Sequence, residues 1–199
     1  MCIRDRSNTG YFSSYEIQVI LSMLRILDNP LQDIPMAAVL ASPIVGMDDE
    51  ELAQIRSAFK GVSFAQAALS AMAGEDGYED EKLKAFALVF ERLRGAVADT
   101  PIHELLYMML DETGFYRYAS AMPAGKRRRQ NIDMLIEMAA AYEKTSYKGL
   151  FHFVRYIDIQ QKYEIDYGEA DTAGENDDVV RIMTCLLYTS PSPRDGATS

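Results

Sequence analysis

The sequence predicts a mainly α fold: a multi-helix domain with one orphan β-strand near residues 179–184. Three observations carry this expectation. Apolar residues recur at spacings of three and four along most of the chain. The apolar runs are bounded by capping residues and prolines. Only Val179–Thr184 has the β-branched, alternating pattern of a strand.

The first helix is expected behind Ser13 and Glu16, which have capping-box spacing, with Ile17, Ile20, Leu21, Leu24 and Leu27 on its apolar side. Asn29-Pro30 stops it, because proline clashes with a preceding helical turn. Asp33 is expected to cap a short helix from Pro35 to Leu40, closed by Ser42-Pro43. Asp48 and Glu51 repeat the capping-box spacing before a helix that reaches about Phe59, and Ser63 opens an Ala-rich segment to Met72. The acidic stretch AGEDGYEDE reads as a solvated loop.

A longer helix is expected from about Asp80 to Val97, with Leu83, Phe86, Ala87, Phe90 and Leu93 inward. Thr100-Pro101 supplies an N-cap and first-turn proline for a helix carrying Leu105, Leu106, Met109 and Leu110. GFYRYASAMPAG is a connector with a helical turn. Lys126 to about Lys144 follows, burying Ile132, Leu135, Ile136 and Ala139, and Ser146 caps a last helix to about Tyr163 through Leu150, Phe151, Val154 and Ile157. The strand at 179–184 then lacks a partner for its backbone donors and acceptors within residues 7–184, so its sheet is expected to lie elsewhere.

With 199 residues, 48% hydrophobic and 25% charged, the chain has the composition of a globular protein with a sizeable core. A net charge of -10 excludes a surface that grips nucleic acid or anionic lipid all over, so a basic contact must be a local patch. No apolar stretch is long enough to span a membrane and no secretory h-region opens the chain, so no membrane partner and a cytoplasmic location are expected. Cys2 and Cys185 are too few and too far apart for a disulfide framework or zinc site. Both lie in stretches, MCIRDR and CLLYTSPSPRDGATS, that read as foreign to the rest. Residues 1–6 and 185–199 are therefore expected to be a non-native flank and tail.

No self-contained active site is visible. Gly125-Lys126 fails as a phosphate-binding loop, because Ser120 and Arg127 stand where glycine and a hydroxyl residue are needed. His103 and His152 lack neighbours at metal-ligand spacing, and the acidic loops lack a calcium-binding register. The feature that breaks the acidic background is GKRRRQN, residues 125–131. Four consecutive cations at a helix start oppose the macrodipole, which makes phosphate contact by Lys126, Arg127, Arg128 and Arg129 worth weighing against a solvated charge run. Aromatics and cations also interleave in SYKGLFHFVRY, where Lys148, Arg155 and Tyr156 are candidates to face outward and meet unpaired bases.

Several segments together resemble the UvrD/Rep-type superfamily 1 DNA helicases, and among them the A-subunit family of the ATP-dependent helicase–nucleases. They are GYFSSYEIQVILSMLRILDNPLQDIPMAAVLASPIVGMDDEEL, MPAGKRRRQNIDML, YEKTSYKGLFHFVRYI and VVRIMT, the last resembling the opening of helicase motif V. The resemblance covers about residues 8–184 and stops at Cys185. It implies an internal fragment: residues 7–45 at the edge of the second RecA-like motor domain, 46–178 as a helical domain like the 2B insertion of these helicases, and 179–184 as a strand returning to the motor. It further implies DNA contacts by Lys126, Arg127, Arg128, Arg129, Asn131 and Thr184. Tyr11, Phe12 and Glu16 would be structural supports of the motor domain. A parent of this kind unwinds and degrades DNA at double-strand breaks for recombinational repair, using ATP and Mg. The ATP machinery and nuclease would lie outside this chain, which is expected to hold no cofactor of its own, to pack against the rest of the motor, and to join a B subunit. The competing expectations are an all-helical protein-interaction module with an acidic surface, and a small autonomous enzyme.

Overall fold

The computed structural model describes residues 10–144 and 149–162. The expected strand at 179–184 and the flanks 1–6 and 185–199 lie outside them. Among the described residues there are nine α-helices and two 3₁₀ turns and no strand, so the fold is mainly α as expected. The helices are α1 (Tyr15–Asp28), α2 (Asp33–Ala41), α3 (Asp49–Ala58), α4 (Phe64–Met72), α5 (Glu81–Ala96), α6 (Ile102–Thr113), α7 (Phe115–Ala121), α8 (Gly125–Tyr142) and α9 (Leu150–Lys162). None is long and apolar enough to cross a membrane.

Helix α1 is central. Ten of its fourteen residues are buried, including Ile17, Ile20, Leu24 and Ile26 with no exposure at all. A helix apolar nearly all round must be covered on every side, and α1 packs against α2, α5, α8 and α9. One cluster of buried side chains runs from Tyr11 to Ile157 and crosses position 45 without a break.

Two of the expected caps form as written in the sequence. Asp48 accepts from the Glu51 N–H while Glu51 reaches back to the Asp48 N–H, and Ser63 does the same with Gln66. Others do not form as expected. Ser13 does not cap α1: Tyr11–Ser13 forms a 3₁₀ turn, Ser14 takes the N-cap position, and its hydroxyl donates to the Tyr11 carbonyl at 2.7 Å. Glu16 is buried in the core instead of closing a capping box. Asp33 is the first residue of α2, and its carboxylate accepts at 2.9 Å from the Ala65 N–H, capping α4. Thr100 gives no cap to α6; the Ile102 N–H donates to the carboxylate of Glu143, which also holds His103 Nδ1. In α9 the expected inward Phe151 is half exposed, and Phe153 fills the core instead, against Tyr142. The guanidinium of Arg155 lies 5.9 Å over the exposed Phe151 ring.

The connection from α6 to α8 places the basic cluster. Gly114, at φ 66°, ends α6 in the left-handed region that glycine enters without strain. The next sharp turn brings α7 back on α8 so closely that a Cβ on Gly125 would sit 1.9 Å from the Ser120 carbonyl oxygen. Only glycine fits there.

Candidate nucleic-acid interface

The cationic run occupies the first turn of α8. Successive helical residues step about 100° around the axis, so four consecutive cations cannot all face one way. Lys126, Arg127 and Arg129 are exposed. Arg128 turns inward, with its side chain 23% exposed. Among the described residues, Lys126 and Arg129 enter no ion pair.

Arg128 has a specific partner. Its Nη1 donates to Oε2 of Glu16, a residue 112 positions earlier that is 2% exposed. Its Nε donates to the Pro123 carbonyl at 3.1 Å, fixing the guanidinium in the elbow before α8. The second oxygen of Glu16 accepts from Nδ2 of Asn131 at 2.7 Å. Asn131 is wholly buried, and its own carbonyl accepts from the Tyr11 hydroxyl at 2.8 Å. Burial and then the negative charge of Glu16 push the Tyr11 phenol far above its ordinary pKa, so it stays protonated as a donor.

Thus Tyr11, Glu16, Arg128 and Asn131 form one network joining the start of α1 to the first two turns of α8. Phe12 completes this end, packing edge-on to Tyr11 at 5.0 Å while its carbonyl accepts from Gln18. In the sequence these residues fall into two separate groups, one structural and one cationic. The fold brings them together. Thr184 lies outside the described residues, as does Lys148.

The cations have aromatic neighbours that the sequence pattern did not single out. Tyr118 and Arg117, on α7, are exposed, and the Tyr118 ring stacks on buried Phe115 with centroids 6.2 Å apart and planes 18° apart. Tyr15, exposed in the first turn of α1, has its phenol pKa raised by lost hydration and by Tyr118, while nearby Arg128 lowers it. Tyr116 is held by Asp133 at 3.1 Å and lies within the fields of Arg129 and Tyr107. The signal for this grouping was FYRYA, a cation between two tyrosines, close before the basic run. Elsewhere among the described residues no group of three His, Cys, Asp or Glu side chains gathers as metal ligands.

Comparison with known proteins gives this arrangement its context. No family model matches the chain. It is 44% identical over 179 residues to the ATP-dependent helicase/nuclease A-subunit of Anoxybacillus flavithermus, covering 89% of this chain and 15% of that protein. The proteins of the same name from Bacillus cytotoxicus and Bacillus velezensis are 42% and 40% identical, each over 88% of this chain and 14% of their own length. The chain therefore spans only about 15% of the length of the relatives it matches. Identity of this order over nearly the whole chain makes it a homologue of a partial region of the A-subunit family of ATP-dependent helicase/nucleases.

Proposed function

We propose that the chain is a DNA-guiding and domain-packing segment of an ATP-dependent helicase–nuclease that unwinds and processes broken DNA for repair. The observation that carries this is the outward set Lys126, Arg127 and Arg129, displayed on a protein of net charge -10. Phosphate contact is the chemistry that suits such a set: each neutralised phosphate releases condensed counterions. In this reading Arg128 and Asn131 are positioning residues, holding α8 through Glu16 so that the other three cations point outward. Thr184 would follow the single-stranded track from the returning strand. Residues 7–45 would abut the second motor domain and 46–178 form the 2B-like part, in a cytoplasmic assembly with a B subunit. ATP and Mg would be bound by other parts of the larger protein, and this segment would supply no catalytic group.

The test is salt-dependent binding of the full chain to a forked DNA, compared with a variant carrying Lys126→Ala, Arg127→Ala and Arg129→Ala. Affinity should fall with salt, and the slope of log K against log salt should shrink by about 2–3 in the variant, near 0.9 per lost contact. A folded native chain that does not bind, or a variant with an unchanged slope, would leave the cations as a solvated helix end.

A further inference from the structure

Glu16 is 2% exposed and divides its two carboxylate oxygens between partners on α8: Oε2 accepts from Nη1 of Arg128, and Oε1 from Nδ2 of Asn131. The two bonds differ in kind. An amide oxygen could also accept the bond from Asn131. The bond to Arg128 pairs opposite charges and cancels one of the four consecutive cations of the basic run. The start of α8 is otherwise arranged for an anion. No side chain caps its first N–H groups and no acidic residue lies in its first turn, so the positive end of the helix dipole adds to the field of the cations. The carboxylate that meets Arg128 comes from α1, 112 positions earlier.

Carboxylate and phosphate bind a guanidinium through the same N–H···O bonds, so Glu16 and a DNA phosphate are competitors for Arg128. The guanidinium is not sealed from such a competitor, since the Arg128 side chain is 23% exposed. Burial decides the contest. If Arg128 turned to a phosphate, Glu16 would stay buried without its counter-charge, and one solvated ion contact recovers less than that costs. We infer that Glu16 withholds Arg128 from DNA: its charge keeps one of the four cations of α8 from phosphate and so limits how tightly the helix grips the backbone. A guide along which DNA must advance cannot hold it fast. The inference rests on the proposal that the outward cations meet phosphate, and it adds an internal carboxylate that competes with DNA.

The experiment measures binding of the full chain to the forked DNA by fluorescence anisotropy at several salt concentrations. It compares the native chain, Glu16→Gln, the double variant Glu16→Gln with Arg128→Ala, and the triple Ala variant of the outward cations. Glutamine keeps Oε1 for Asn131 but turns an NH₂ group toward Arg128, a donor facing a donor, so Arg128 is released while the other bond remains. Neither the single nor the double variant strands a buried charge, and circular dichroism checks that each is folded. The salt slope of Glu16→Gln should be steeper than the native one by about 0.9, so that going from about 50 to about 200 mM salt weakens its binding roughly threefold more. The double variant should return to the native slope, because the released cation is gone. A native slope in Glu16→Gln would overturn the inference. So would a steeper slope that persists in the double variant, since the added contact would not be Arg128. An unfolded Glu16→Gln chain would overturn it as well, making the carboxylate indispensable to the core. The reading of the outward cations survives each of these results if the triple Ala variant still flattens the slope. A native chain without salt-dependent binding would overturn both.

Discussion

At the residue scale, the run Lys126–Arg129 contains two kinds of cation. Exposed surface side chains contribute within about 0.5 kcal/mol to stability, so removing Lys126, Arg127 and Arg129 should leave folding nearly intact. Arg128 differs because its partner, Glu16, is buried: taking away Arg128 leaves the Glu16 carboxylate buried without its counter-charge. Arg128→Ala is expected to cost about 3–5 kcal/mol, measured by denaturant unfolding, and Glu16→Ala less, because the Arg128 left behind reaches water. The double variant should cost clearly less than the sum, because each single change already removes the shared interaction. Additive costs would mean that the pair does not act as one unit. Sequence alone marked the four cations as unusual for a helix start. It could not separate inward Arg128 from its neighbours, because the separation is made by a carboxylate 112 residues away.

At the element scale, the same contrast between near and distant partners decides which helix caps could be read. Asp48 with Glu51 and Ser63 with Gln66 are complete within four residues, so their form is written locally. The caps of α4 and α6 by Asp33 and Glu143 span 32 and 41 positions and exist only once the helices have packed. Asp33 carries a pH signature. The Ala65 N–H holds its carboxyl below the ordinary range against a loss of hydration, helped by the Ser63 hydroxyl, the Phe64 N–H and the charge of Arg56. The unfolded chain therefore takes up this proton at a higher pH than the folded chain does. The stabilisation is complete above the ordinary carboxyl range, about pH 4, and is lost as pH falls through the lower folded value. Asp33→Ala should lower the thermal midpoint at neutral pH, and the gap to the native chain should close as the pH is taken below about 4. A gap independent of pH would show that the charge at Asp33 is not what caps α4.

At the scale of the whole molecule, the question is whether residues on either side of position 45 fold as one body. Resemblance suggested an edge of a motor domain up to 45 and a helical domain beyond it. The packing makes α1, from the first part, the core helix of the second: it lies against α5, α8 and α9 as well as α2, and Leu24 in its middle has no exposure. A core helix shared in this way couples the two parts, since neither can bury its apolar side chains without the other. Leu24→Ala should therefore cost about 2–5 kcal/mol, from the lost transfer energy and the cavity left behind. The loss should be felt by every helix at once. Thermal unfolding followed by far-ultraviolet circular dichroism and by the near-ultraviolet signal of the 12 tyrosines should shift together to a lower midpoint and remain a single transition. Two separated transitions, with α5 to α8 surviving the first, would mean that the later helices hold together without α1. The Glu16 network would then join two bodies. A single shifted transition would make it part of one core, with the outward cations of α8 held in place by the same packing that keeps the chain folded.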